Sequence, residues 1–430
     1  MNLFLKIVYW CLGLGATSPL LALVFSGRVI SLMTIALGCV FIDLIFSKHR
    51  ISNSIFRSST LFKFFLCWML ISILASLFGF IYFLSIRPDY SYAAISYIPK
   101  IVLYFILLFL LGRQKNCFDK CSYIIKGIKY GVALNLIWSI LDAFMYYSIH
   151  ESLTNTVFQS YIVGTNMHFG MASIVDGISI RSVGLNNDPA TIGFFSVVAS
   201  MYSFLKKNKW ILMISFLSVF SCVSFVGMVG IAIVVIYYFV TKKNPKKLLP
   251  LFLFVVVLVI GGMWFNSSND TFVKGLKNAW NLRLESKKEG DHSMNTRILF
   301  IEHFPNAVVN MPTSLIIGTG YDTAVYAYID EGLDYGINGP TAMENTYLDN
   351  FFNFGFIGFV FFVIFYIKMY KNSLKWVKYN QSEYVIVIFS FSIATLICFL
   401  FYHYTLYSVI MLISICSICY NERQFVVSKN

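Results

Sequence analysis

The sequence has few charged residues, and this scarcity sets its class. Charged residues make up 12% of the 430 residues, about half of what a soluble domain carries. Hydrophobic residues make up 58%, and the 43 phenylalanines and 27 tyrosines suit lipid-facing helices and interfacial belts. Low-complexity runs are absent. This composition excludes a soluble globular protein and predicts a polytopic membrane protein.

The long polar stretch Asn266–Met343 contains no cysteine, so no disulfide holds it together. Elsewhere, Cys117 and Cys121 lie in a predicted cytoplasmic loop, and Cys416 and Cys419 lie in the last apolar span. No cysteine and histidine set has the spacing of zinc ligands in a polar context. We therefore predict no metal site and no cofactor.

The net charge of +13 does not indicate a nucleic-acid-binding protein, because many of the basic residues cluster in short loops. These loops are Lys48–Arg57, Arg113–Lys120, Lys206–Lys209, Lys242–Lys247 and Lys371–Lys378. Such clusters are typical of cytoplasmic loops in membrane proteins. Asn266–Met343 breaks the pattern with six basic and nine acidic residues, so we assign it to the extracytoplasmic face.

Apolar segments near the length of about 20 residues that a spanning helix needs recur along the chain. They are Leu3–Phe25, Val29–Ser47, Leu61–Leu84, Pro99–Gly112, Tyr130–Ile149, Pro189–Leu205, Trp210–Val240, Leu248–Phe265, Asn345–Tyr370, Tyr384–Phe401 and Thr405–Tyr420. The segment Trp210–Val240 is flanked by lysines at both ends, which favours two short helices that turn near Ser224–Gly227. The first segment reads as a transmembrane helix and not as a signal peptide.

The resulting prediction is an all-α polytopic membrane protein with about twelve transmembrane helices. One large extracytoplasmic loop separates spans nine and ten, and both termini are cytoplasmic. The predicted division is residues 1–265 with helices one to nine, residues 266–343 as the loop domain, and residues 344–430 with helices ten to twelve.

Arg181 lies shortly before the sixth predicted span, on the outer side where positive charge is disfavoured. This placement favours a functional role over that of a snorkelling interfacial residue. Asn187 or Asp188 is expected to cap the following helix, with Pro189 in its first turn. For Asp188, a role as the helix cap is a sufficient explanation.

Arg297 begins a predicted amphipathic helix in which Ile298, Ile301, Phe304 and Val308 recur at helical spacing. Asn295 or Thr296 would cap this helix, which would lie on the membrane surface. A cation in the first turn opposes the helix dipole, so Arg297 is a candidate for binding phosphate or pyrophosphate beside free N–H groups. The alternative is a surface ion pair with Glu302 or Asp291.

Glu344 opens the tenth predicted span, where Asn345 or Thr346 is expected to be the cap. Glu344 either complements the positive helix end or acts as a general base on a sugar hydroxyl. Gly318-Thr319-Gly320 follows an apolar run and predicts a tight turn, because an isolated G-x-G is weak support for nucleotide binding. Asp142 and His403 are ionisable residues in or near spans, which makes them functional candidates.

Taken in order, these motifs resemble the O-antigen polymerase/ligase superfamily of bacterial membrane glycosyltransferases, which have a GT-C type of fold. Arg181-Ser182-Val183-Gly184 with Pro189 and Gly193 is similar to the R-x-x-G…P…G segment of that superfamily. Arg297 is similar to its outer-loop arginine, and Leu315–Tyr321 is similar to its apolar-G-x-G turn. Glu344–Leu348 with Gly355 and Gly358 resembles its H-N-x-Y-L…G-x-x-G block.

The resemblance implies glycosyl transfer at the outer face of the bacterial inner (plasma) membrane, with the long loop in the periplasm. The donor would be a glycan on undecaprenyl pyrophosphate, and the acceptor a lipid-linked repeat unit. It makes Glu344, Arg297 and Arg181 catalytic candidates. The substrate-binding candidates are Arg181, Arg297, Asn187, Asp188, Asn345 and Tyr347. The expected partners are lipid-linked glycans, the bilayer and, by analogy, a chain-length regulator.

Two departures from the superfamily pattern bear on the activity. Glu344 stands where ligases commonly have histidine, which favours a Wzy-type polymerase, and Cys222–Gly230 lacks a Ser-Arg pair often found there. A ligase that transfers the finished glycan to lipid A–core is one alternative. A repeat-unit flippase is another, but it would place charges inside helices that line a cavity. A non-catalytic scaffold would have no need of outer-face arginines.

Overall fold

The computed structural model describes residues 1–25, 28–47, 59–149, 151–157, 171–175, 178–186, 188–222, 224–242, 274, 277, 299–331, 345–400 and 407–427. The chain divides into two compact units. Unit 1 comprises Met1–Trp10, Ala36–Lys126 and Asp291–Asn430, and unit 2 comprises Cys11–Ile35 and Gly127–Gly290. The predicted three-part division of the chain stays a prediction.

Helices dominate both units. In chain order the elements are α1 (Leu3–Thr17), β1 (Ala22–Phe25), β2 (Arg28–Ser31), α2 (Leu32–Phe46), α3 (Thr60–Leu84), α4 (Pro88–Ser96), α5 (Ile98–Gly112), α6 (Cys117–Ile149), α7 (Leu153–Val157), β3 (Met171–Val175), β4 (Ile178–Ser182), α8 (Pro189–Lys206), α9 (Lys209–Ser221), α10 (Phe225–Lys242), α11 (Phe304–Asn310), the 3-10 helices η1 (Pro312–Leu315) and η2 (Ala324–Glu331), α12 (Thr346–Tyr379), α13 (Glu383–Cys398) and α14 (Tyr407–Val427).

The apolar helices support the assignment of the chain as a membrane protein. Among the described residues, four are long and apolar enough to cross a bilayer: Thr60–Leu84, Tyr90–Gly112, Cys117–Ile149 and Thr346–Tyr379. Shorter apolar helices accompany them, among them α1, α2, α9 and α13. The α-helical membrane class is therefore confirmed, whereas the count of about twelve spans and the position of the large loop stay predictions.

Two β-hairpins depart from the expected all-helical fold. β1 pairs antiparallel with β2, and β3 pairs antiparallel with β4, opposing Met171 to Ser182. The predicted first span Leu3–Phe25 is therefore wrong in its last third, since α1 ends at Thr17 and β1 follows. Hydrophobicity alone does not distinguish a short apolar strand from the end of a helix.

The predicted split of Trp210–Val240 into two helices is confirmed within unit 2. α9 ends at Ser221 and α10 begins at Phe225, so the break lies slightly earlier than expected. Gly227 allows α10 to approach α8 closely, because a Cβ on Gly227 would lie 2.9 Å from the Gly193 Cα. Such contacts between small residues bring helix backbones together in membranes.

In unit 1, α3 packs along α12 through aromatic rings. The Trp68 ring lies 5.2 Å from that of Phe362, and the Phe65 ring lies 5.2 Å from that of Phe365. Offset and edge-to-face aromatic pairs each contribute about 0.5–1.5 kcal/mol beyond their buried area. This packing holds the part of α12 that follows Gly355, directly after the motif residues.

Candidate functional site

The predicted G-x-G turn is confirmed. In unit 1 it packs against α12 at a point where the helix is interrupted. Gly355 has a φ of 69°, which interrupts the helix. The freed carbonyl oxygen of Asn353 accepts a hydrogen bond of 2.7 Å from the Gly320 N–H. The Asn353 side-chain oxygen accepts a second bond of 3.2 Å from the Thr323 N–H. Two motifs that lie about 35 residues apart in the sequence thus form one structure.

This contact requires glycines, because the space at these positions excludes a side chain. A Cβ on Gly318 would lie 2.6 Å from the Asn353 carbonyl carbon, and one on Gly355 would lie 2.5 Å from the Ile316 carbonyl oxygen. On the other side of the turn, a Cβ on Gly79 of α3 would overlap the Thr319 carbonyl group. Gly318 and Gly355 also have positive φ, which disfavours any side chain.

Other residues of the described loop pack with α12 as an apolar cluster, here called the loop cluster. Its buried members are Phe300, Ala307, Met311, Ala324, Ala327, Tyr328 and Phe352. The Tyr328 hydroxyl donates a hydrogen bond of 2.8 Å to the Phe300 carbonyl oxygen. Two partly buried leucines pack against the cluster. Leu299 is at the start of the described loop segment, and Leu348 is in the first turn of α12. The cluster therefore joins the segment after Arg297 to the segment after Glu344.

Helix α12 begins at a cap formed by Asn345, as predicted. The Asn345 Oδ1 accepts hydrogen bonds from the Tyr347 N–H at 3.0 Å and the Leu348 N–H at 3.1 Å. The Tyr347 hydroxyl donates to the Leu396 carbonyl oxygen at 3.1 Å, which ties α12 to α13. Both predicted substrate-binding side chains therefore have structural partners, and their binding roles stay predictions.

Asp322 is a candidate that the sequence analysis missed. It follows Tyr321 directly in the turn and has a left-handed backbone conformation, with φ of 57°. Burial raises the pKa of its carboxyl to about 7, an effect that the nearby Lys100 partly opposes. A carboxyl with a pKa near neutral can exchange a proton at working pH. The signal in the sequence was an acidic residue directly after a G-x-G-Tyr turn.

In unit 2, the segment after Arg181 is held by buried Asn135 of α6. The Asn135 Oδ1 accepts hydrogen bonds from the Leu185 N–H at 3.1 Å and the Asn186 side-chain amide at 2.6 Å. Its amide donates to the Thr17 carbonyl oxygen at 3.0 Å and the Ser18 hydroxyl at 2.8 Å. No local sequence pattern predicts this role of Asn135, since its partners are far away in the chain.

Asp142 serves as a second anchor for the same segment. One carboxylate oxygen accepts bonds from the Ser152 hydroxyl at 2.8 Å and the Thr154 N–H at 3.0 Å. The other accepts a bond of 3.2 Å from the Ser182 hydroxyl. A buried carboxylate with this many donors has a structural explanation. The hydrogen bonds therefore explain why an ionisable residue lies within α6.

The structure describes some of the predicted site residues and not others. The backbone of Arg181 lies in β4, opposite Ala172, and its side chain lies outside the description. Asp188 caps α8 by accepting a bond of 2.9 Å from the Ala190 N–H, as expected. The remaining candidates Asn187, Arg297, Glu344 and His403 lie outside the described residues.

Taken together, the apolar helices and the motif contacts define a polytopic helical membrane protein with an organised loop segment before α12. Residues 208–363 match a family model described as O-antigen ligase. The match covers about a third of the chain and includes α9, α10, the G-x-G turn and the beginning of α12. It confirms the predicted resemblance to the O-antigen polymerase/ligase superfamily. No curated protein matches the chain.

Proposed function

We propose that this protein is a Wzy-type polymerase that extends lipid-linked oligosaccharide repeat units on the periplasmic face of the bacterial inner membrane. The observation that carries the proposal is the match of residues 208–363 to the O-antigen ligase family. Members of that superfamily transfer glycans from a polyprenyl pyrophosphate carrier. The product is O-antigen or a related surface polysaccharide.

The contacts around the loop cluster support a joint role for Arg297 and Glu344. Leu299 is two residues after Arg297, and Leu348 is four residues after Glu344, and both pack against the same cluster. The described sequence neighbours of Arg297 and Glu344 therefore meet in one cluster. The cap at Asn345 directly follows Glu344 and fixes where the chain enters α12.

The segment at Arg181 is also suited to a binding role, because buried hydrogen bonds anchor the residues that follow it. Gly184 has a φ of 61°, and Asn135 and Asp142 hold the residues on both sides of it. A side chain that binds substrate needs such support to keep its geometry. By resemblance, Arg181 provides a second cationic contact for the donor pyrophosphate.

The proposed reaction inverts the anomeric centre. Glu344 takes the proton of an acceptor hydroxyl, whose oxygen attacks the anomeric carbon of the donor glycan in line. The bond between that carbon and the phosphate oxygen breaks, and undecaprenyl pyrophosphate leaves with the electron pair. Arg181 and Arg297 stabilise the charge that develops on the leaving pyrophosphate. The reaction needs no nucleotide sugar and no metal.

A ligase is the second candidate, favoured by the description of the matching family as O-antigen ligase. Glu344 at the position where ligases commonly carry histidine favours polymerase. The two activities differ in the acceptor, which is a lipid-linked repeat unit for a polymerase and lipid A–core for a ligase. An assay that offers both acceptors separates them.

The test uses the purified full-length chain in liposomes with a radiolabelled lipid-linked repeat unit, with and without lipid A–core. A polymerase gives a ladder of lipid-linked products without lipid A–core. Transfer to lipid A–core alone, with no ladder, would show a ligase and contradict the proposal.

Variants of the two arginines test the site. Arg181→Ala and Arg297→Ala should each abolish elongation while the protein still inserts in the membrane. Arg283→Ala is the matched control, since it removes the same charge from the long loop at a position outside the motifs. Normal product lengths in either well-expressed motif variant would exclude the arginine clamp.

A further inference from the structure

Four buried cysteines of unit 1 come together from opposite ends of the chain. Cys117 and Cys121 lie on the first two turns of α6, and Cys416 and Cys419 lie on α14. The exposed fraction of each is 5% or less, and all four thiols are free. The two pairs are separated by about 300 residues of sequence, so their convergence is a property of the fold.

The distances match those of a thiolate metal site. The Sγ atoms of Cys117, Cys121 and Cys419 all lie within 4.8 Å of one another, and those of Cys117 and Cys121 are 4.0 Å apart. A tetrahedral zinc ion with Zn–S bonds of about 2.3 Å holds its sulfurs about 3.8 Å apart. Side-chain adjustments of less than about 1 Å would therefore complete the coordination.

Cys416 is the candidate for a fourth ligand. It precedes Cys419 by nearly one helical turn, so both side chains lie on one face of α14. Its Sγ contacts the carbonyl oxygen of Cys121 at 3.9 Å. The spacings C-x3-C and C-x2-C both fall within the range found for zinc ligand pairs. Neither pair was predicted to bind a metal, because neither lies in a polar context.

The surroundings suit a bound thiolate complex. Cys117 is at the positive end of the α6 dipole, which stabilises negative charge. The Tyr384 hydroxyl donates a bond of 2.6 Å to the Cys416 carbonyl oxygen and fixes the backbone there. The rings of Phe118, Tyr384 and Tyr420 lie 5.1 to 5.8 Å from one another beside the cysteines. The low exposure of the four cysteines keeps water away from their sulfurs.

We propose that Cys117, Cys121 and Cys419, with Cys416 as the fourth ligand, bind a structural Zn²⁺ ion that joins the start of α6 to α14. The simpler explanation is a set of small core side chains, since cysteine is often buried. Three thiols within ligand distance of one another are more than packing requires. The basic cluster Arg113–Lys120 predicts a cytoplasmic location, where thiols stay reduced. The proposal is independent of the glycosyltransferase reaction.

The first test is on the unmodified chain, purified in detergent under reducing conditions. Elemental analysis should find stoichiometric zinc. Replacement by Co²⁺ should give the sulfur-to-cobalt charge-transfer absorption and the d–d bands of tetrahedral cobalt thiolate. Zinc at trace level together with no such bands overturns the proposal. A disulfide among the four cysteines, found by mass spectrometry after alkylation at lysis, also overturns it.

Variants then assign the ligands. Cys117→Ser and Cys419→Ser should each lose most of the bound zinc and the cobalt thiolate bands. Cys398→Ser is the matched control, because Cys398 is fully buried in α13 and lies outside the set of converging thiols. Zinc retained in both cluster variants overturns the assignment. Gel filtration checks that each variant is folded, and the cobalt spectrum of the unmodified chain decides the matter if a variant fails to fold.

Discussion

The side-chain oxygen of Asn135 accepts a hydrogen bond of 2.6 Å from the side-chain amide of Asn186. Asn135 is fully buried and Asn186 is 2% exposed. Within unit 2, this pair connects α6 to the segment that follows Arg181. Buried polar groups are costly unless each has a partner, so the pair specifies one position for that segment.

Asn135→Leu should therefore destabilise the protein strongly. Leucine has a similar volume but leaves the Leu185 N–H without its acceptor and removes the bond to Asn186. The expected loss is about 1–3 kcal/mol for each buried group left unsatisfied. Thermal unfolding of the purified protein in detergent measures it.

Asn372→Leu is the matched control for that variant. Asn372 is half-buried and donates a longer bond, 3.3 Å, to Asn421. Its replacement should cost clearly less than that of Asn135. Equal losses of thermal stability in the two variants would mean that the Asn135 network has no special importance.

Gly355→Ala should disrupt the contact between the G-x-G turn and α12. The new methyl group would lie 2.5 Å from the Ile316 carbonyl oxygen, in a backbone conformation that alanine disfavours. We expect lower thermal stability and loss of elongation. Gly38→Ala is the control, because nothing lies within 4 Å of a Cβ at that position in α2. If both alanines are tolerated alike, the turn does not depend on the break in α12.

The stability of the protein should depend on pH through Asp322. Burial raises the pKa of this carboxyl from 3.8 to about 7 in the folded protein. The folded state thus keeps a proton that the unfolded chain has lost. The stability from this group is fully present below about pH 4 and is lost as the pH rises through about 7.

Asp322→Asn, which cannot ionise, should remove this dependence. The melting temperature of the variant should exceed that of the wild type by a margin that widens between about pH 4 and about pH 7, then stays constant. Glu302→Gln is the control, because it removes an exposed carboxylate from the same loop. A margin that is the same at every pH would contradict the raised pKa.

The predicted topology can be tested with reporter fusions. Alkaline phosphatase, which is active only in the periplasm, should be active when inserted within Asn266–Met343. A fluorescent protein that folds only in the cytoplasm should fluoresce when fused after Asn430. Phosphatase activity at Lys242–Lys247 instead would reverse the assignment and would contradict the charge argument.

The sequence predicted the parts of the fold that depend on local signals. Asp188 before Pro189, and Asn345 before Thr346, mark helix starts because caps act within a few residues. The lysines on either side of Trp210–Val240 indicated the break that separates α9 from α10, because charge placement follows the membrane sides.

The parts that depend on distant partners could not be predicted. The break in α12 at Gly355 depends on a distant contact, because Gly355 packs against the Ile316 carbonyl oxygen. The convergence of Cys117 with Cys419 joins chain positions that no local pattern relates. The hairpin of β1 and β2 was missed because apolar strands and apolar helices have the same composition.

The most direct test of the proposed activity is a gel of surface glycan from a strain that lacks this gene. We predict that the ladder of long chains collapses to core carrying a single repeat unit, and that the wild-type gene restores the ladder whereas Arg297→Ala does not. Loss of every repeat, the single unit included, would indicate a ligase or a flippase and would contradict the assignment as a polymerase.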